Sequence, residues 1–102
     1  MTLRYVRLTE VCERLAIDDA LLRAVCEEGL VEVKQSSEAE AVISAEHAER
    51  LRLIAFLVRD LDVNLPGVEV ILHLRDDLYS RQRQFDEILR AVVAELRQRM
   101  VG

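Results

Sequence analysis

The 102-residue chain has no Trp, one Pro, three Gly, two Cys, and only two Tyr and two Phe as aromatics. So little Gly and Pro is the composition of a compact helical protein and not of a disordered chain. The two cysteines fall on the two short helices predicted near the start of the chain. Cys12 and Cys26 are too far apart for a CxxC pair and lack nearby His ligands. They are expected to be buried free thiols, since a disulfide needs an oxidising compartment that nothing else suggests. The longest uncharged apolar run in the middle of the chain, Leu53 to Val58 (LIAFLV), is far short of the roughly 20 residues that span a bilayer. Residues 1–10 contain Arg but no apolar signal core or small-residue cleavage site, so no secretory signal and a cytoplasmic location are expected. A basic excess is missing too. The net charge is -5, which disfavours anionic membrane surfaces and nucleic acid and favours basic partners.

What is present is 51% hydrophobic and 32% charged, the composition of one compact, mainly α domain. Residues 9–35 (TEVCERLAIDDALLRAVCEEGLVEVKQ) read as two short helices, a tight turn between them, and a strand. Thr9 is placed to cap the first helix, whose apolar positions are Val11, Cys12, Leu15 and Ala16. Asp18 is placed to cap the second, with Ile17 and Leu22 at hydrophobic-staple spacing. Leu21, Leu22, Val25 and Cys26 share the packing face, and Asp19, Arg23 and Glu27 line a free one. Gly29 ends the helix, and Leu30, Val31 and Val33 suggest a strand. This is the outline of a helix-turn-helix with an inverted charge. Asp18, Asp19, Glu27 and Glu28 stand against the single Arg23, where phosphate contacts would need Lys and Arg.

Gln35 to Val42 (QSSEAEAV) is the tip of a β-hairpin wing, with Val42 and Ile43 on its return strand. Ser44 caps a third helix that has Glu46 in its first turn. Leu51, Ile54, Ala55, Val58 and Leu61 form one stripe of that helix, widened by Leu53, Phe56 and Leu57, so it is expected to be packed from two directions. Asn64 is an N-cap, and Pro66 is tolerated in the first turn of a fourth helix. Beyond Leu78 the apolar steps to Phe85, Leu89, Val92, Leu96 and Met100 are mostly threes and fours, a coiled-coil-like seam. Unbroken, this helix runs about 50 Å; a bend near Leu74 to Asp77 would instead fold it back. The expected segments are 1–43 (helix-turn-helix and wing), 44–63 (third helix) and 64–102 (fourth helix), with Leu78, Phe85, Leu89, Val92 and Leu96 as a dimer seam.

Catalytic signatures are missing: there is no Gly-rich phosphate loop, HExxH or nucleophile elbow. No catalytic, cofactor-binding or metal-binding residues are expected, and no enzyme. His47 and His73 read as structural or solvated. Asp76 and Asp77 point about 100° apart on a helix and read as solvated charges. From Arg75 onward six arginines stand against five acids, a mixed helix surface.

The whole layout resembles the MerR-type regulators, a winged helix-turn-helix fold with a small β-hairpin wing and a long C-terminal helix. EVCERLAIDDALLRAVCEEGLVEV carries the resemblance for the helix-turn-helix, and SAEHAERLRLIAFLVRDLDVNLPGVEVIL for the third and fourth helices. DLDVNLPGVEVILHLRDDL, Asp60 to Leu78, is similar to a narrower group with this fold, the CbpM family of chaperone modulators. MerR wings present Arg and Tyr to DNA, whereas Gln35, Ser36, Ser37, Glu38, Ala39 and Glu40 stand here, with Lys34 the only cation. No effector-binding extension is expected after Gly102, and direct nucleic-acid binding is not expected. The CbpM resemblance implies binding to the J-domain of a DnaJ-like co-chaperone, CbpA, in competition with Hsp70. J-domains offer Hsp70 a basic helix. Asp18, Asp19, Glu27 and Glu28, with Asp60 and Asp62, are the candidate contacts by charge. Leu65 and Val68 are candidates for an apolar anchor or for core packing. A small MerR-like DNA-binding regulator is the alternative expectation.

Overall fold

The computed structural model describes residues 4–101; Met1, Thr2, Leu3 and Gly102, which fall within the expected end segments, lie outside them. The elements run β1 (Tyr5–Arg7), α1 (Leu8–Leu15), α2 (Asp19–Glu27), β2 (Val33–Gln35), β3 (Ala41–Ser44), α3 (Ala45–Arg59) and α4 (Leu65–Val101). The mainly α winged helix-turn-helix is therefore the observed fold. Two compact units divide the chain, one through Glu69 and one from Val70.

In the first unit, β2 and β3 form the wing, and β1 adds a third antiparallel strand, giving the order β1-β3-β2. Ile43 lies on the central strand, opposite Val6 and Val33, and is fully buried. The wing turn is closed by Ser36, whose N–H donates to the Glu40 carbonyl at 2.8 Å and whose carbonyl accepts from Ala39 at 3.0 Å. Ala39 takes a left-handed φ of 63° there. Val25, Leu51, Ile54 and Val68 complete the fully buried core of this unit. Val68 is thus core, not an exposed anchor, and Leu65 is half-buried.

Capping explains most boundaries. The Asp18 carboxylate accepts from Leu21 N–H at 2.8 Å, and Ser44 Oγ accepts from His47 N–H at 3.1 Å. Asn64 Oδ1 accepts from Gly67 N–H at 2.9 Å. A Cβ on Gly67 would lie 2.8 Å from Val63 Cγ1 and 3.1 Å from that same Oδ1, so the cap needs the bare backbone. Gly29, at φ 70°, ends α2 with paired bonds, its own N–H to Cys26 O and Leu30 N–H to Val25 O. Ala16, at φ 54°, ends α1 in the same way, through Ala16 N–H to Glu13 O and Ile17 N–H to Cys12 O.

Three expectations need correction. Thr9 does not cap α1: the helix starts one residue earlier, because β1 pairing holds Arg7 extended and the helix follows directly, with Leu8 buried. Leu30 and Val31 are buried but not strand. The Leu30 N–H is bonded to Val25 O, its carbonyl accepts from Arg50 Nε at 2.6 Å, and the Glu32 N–H bonds His47, so these groups are not free for a ladder. On α3, Leu51, Ile54, Ala55 and Leu57 are buried, but Phe56 is 47% exposed and Leu61, beyond the helix end, is 56% exposed.

The second unit is the remainder of α4. No break interrupts the helix at residues 74–77. From Leu74 onward every apolar side chain larger than Ala is exposed. Arg81 pairs with Asp77 at 3.2 Å, Arg99 with Glu95 at 2.9 Å, and the Arg75 guanidinium sits 4.9 Å from the Tyr79 ring centre.

Candidate functional site

The six candidate carboxylates occupy helix ends. Asp18 is the N-cap of α2, Asp19 its first residue, Glu27 its last and Glu28 its C-cap. Asp60 is the C-cap of α3, and Asp62 follows in a left-handed conformation at φ 54°. All six are exposed, and none forms an ion pair among the described residues. Asp19 and Glu27 are two turns apart on one stripe, about 12 Å along the axis, with Arg23 exposed between them. Asp18 differs from the others because its carboxylate also holds the helix start.

Arg59 joins the two sets. Its guanidinium, at the end of α3, donates to the carbonyls of Leu15 and Ala16, the latter at 3.1 Å. These carbonyls belong to the turn just before Asp18, so the segment carrying Asp60 and Asp62 leaves α3 from a point fixed to the start of α2. Sequence reasoning missed this residue. The only local signal, a cation in the last turn of a helix, points to that helix's own carbonyls and not to those of another.

The wing carries little positive charge. Lys34 lies 5.9 Å from the Tyr5 ring centre, and Glu40 at the tip pairs with Arg7 of β1 at 3.3 Å. Both cysteines are free and half-buried rather than buried. Burial pushes the Cys12 thiol up from its ordinary value, helped by the Asp19 carboxylate and the Cys26 thiol, and burial also raises Cys26. Neither is poised as a thiolate nucleophile. Among the described residues no group of His, Cys, Asp and Glu is arranged to hold a metal ion. A groove of about 350 Å³ has a floor of Val6, Val11, Leu15, Ala45 and Ala48, and it brings no nucleophile next to a base.

Two short helices joined by a tight turn, followed by an antiparallel hairpin and packed with a third helix, define the winged helix-turn-helix class. Within that class, the family model of MerR HTH family regulatory proteins matches residues 6–90. The chain belongs to that family. No curated protein and no solved structure matches it.

Proposed function

We propose that this member of the MerR HTH family is a protein-binding adaptor of the CbpM type. It binds the J-domain of a DnaJ-like co-chaperone, CbpA in that family, and blocks its encounter with Hsp70. The observation that carries this reading is the acidity of α2 and its two caps, where four exposed carboxylates, none in an ion pair among the described residues, stand beside a single Arg. In a DNA-reading helix-turn-helix this element meets phosphates, and such a face repels them. A basic protein helix is its electrostatic complement. The function is non-enzymatic and is exercised in the cytoplasm, and Asp60 and Asp62 extend the contact.

A second copy completes the proposed assembly, with Leu78, Phe85, Leu89, Val92 and Leu96 of α4 as the seam. Asp77, Arg81, Glu95 and Arg99 alternate in sign along one flank of this stripe. Reversing the helix about residue 88 sets residue 77 against 99 and 81 against 95, opposite charges at each place. That order supports an antiparallel pair.

The test is titration of the full chain with an isolated J-domain and, separately, with duplex DNA across a salt series. The variant replaces Asp18 and Asp19 by Asn and Glu27 and Glu28 by Gln; Asn at position 18 keeps a capping side chain, so charge is removed without loss of the helix start. J-domain affinity is expected to fall about tenfold, from several exposed charge contacts of modest strength each. No J-domain binding, together with a steeply salt-dependent DNA signal, would show a DNA-binding regulator instead.

A further inference from the structure

The connection between α2 and the wing, residues 29–32, is tied to α3 by two long-range bonds. Arg50 Nε donates to the Leu30 carbonyl at 2.6 Å, and the Glu32 N–H donates to His47 Nδ1 at 2.8 Å. The second bond needs a lone pair on Nδ1, which a neutral ring with its proton on Nε2 supplies. An imidazolium has no acceptor to offer a backbone N–H.

His47 lines a recess of about 130 Å³ with Tyr5 from β1, Glu32 and Lys34 from the connection and β2, and Ser44 and Glu46 from the β3–α3 junction. Glu32, Glu46 and Lys34 are the charged residues of that lining, with Arg50 one turn further along α3. Lys34 is drawn toward the Tyr5 ring. Glu32 and Glu46 are thus the two acidic residues that share the recess with the ring.

We propose that His47 is a proton-operated latch on the joint between α2 and the wing. Neutral, it holds the Glu32 amide. When a proton from solvent binds Nδ1, the new N–H turns to the Glu32 or Glu46 carboxylate, and the amide is released to water. Imidazole suits this role because its Nδ1 accepts a hydrogen bond when the ring is neutral and can only donate once it is protonated. Arg50 keeps its hold on Leu30, and Leu30 and Val31 stay buried, so the joint loosens without unfolding the unit.

The experiment is a backbone-amide and imidazole NMR titration of the full chain from pH 8 to pH 5, beside the His47→Gln variant. Gln offers Oε1 to the same N–H and does not titrate. In the native chain the Glu32 amide is expected to move upfield and lose roughly five- to tenfold of its exchange protection, with the midpoint of the His47 ring carbons. In His47→Gln it stays fixed. His73, exposed on α4, provides the internal reference: its titration leaves Glu32 unmoved. The latch is overturned by a His47 ring that does not titrate in this range, by a Glu32 amide that ignores it, or by the same transition in the Gln variant. Should that variant not fold, His47 against His73 in the native chain decides alone.

Discussion

The unit through Glu69 and the stretch of the second unit from Leu74 onward use apolar side chains in opposite ways. In the first, residues from three helices and the central strand are fully buried, Val25, Ile43, Leu51, Ile54 and Val68 among them. In the second, Leu78 is 68% exposed and Leu89 51% exposed, although the seam is as regular as any stripe in the first unit. Apolar periodicity specifies a face; what covers the face is settled elsewhere in the chain or outside it. The second unit holds its helical form through an interior free of Gly and Pro after Gly67 and through ion pairs such as Arg81–Asp77 and Arg99–Glu95. Each such pair adds about 0.2–0.5 kcal/mol, far less than one buried leucine.

Substitutions can break or sharpen this contrast. Ile54→Ala, in the closed core, is expected to lower the unfolding free energy by about 3–4 kcal/mol in a denaturant titration. A cost below about 1 kcal/mol would mean that the first unit is not packed as described. Leu89→Asp should convert a dimer to a monomer in sedimentation while leaving the amide spectrum of residues 4–69 in place. A native chain that sediments as a monomer at micromolar concentration removes the seam from the proposal. Asn64→Ala, which deletes the cap where α4 begins, is expected to cost about 1 kcal/mol. Ala16→Gly goes the other way, since it relieves an alanine held at φ 54°, and a gain of about 0.5–1 kcal/mol is expected. The smallest effect concerns the thiols, both raised by burial. A group raised on folding stabilises the native state below its unfolded pKa, and that contribution fades as pH rises through the folded value. Alkylation of Cys12 in the native chain at pH 8.5 should accordingly be slower than in the unfolded chain.

Local chemistry was legible in the sequence. Asp18, Ser44, Asn64 and Gly29 stand where capping and left-handed geometry require them, and each rule involves only residues a few positions apart. The wing tip followed from its polar run. β1 was not legible because three residues, Tyr5 to Arg7, are too few to show a period, and they become strand only by pairing with β3. Leu30 and Val31 looked like strand because both are apolar; their backbone groups, or those beside them, are taken up by Val25, Arg50 and His47 instead. The acidic face of α2 could be read directly from charge. Its link to Asp60 and Asp62 through Arg59 could not, because no spacing rule connects positions so distant in sequence.

That link bears on the order of folding. The contact from Arg59 to the α1–α2 turn closes a loop of 43 residues, so the turn cannot be finished by its own two helices. Its last carbonyl partner arrives only when α3 docks. Long closures are entropically costly before their contacts form, and completion of this one after the main barrier is the expectation. Arg59→Met should then leave the refolding limb of a chevron in place and mainly raise the unfolding rate. The helix pair that outlines a DNA reader is thus a joint fastened from outside by an arginine of the third helix.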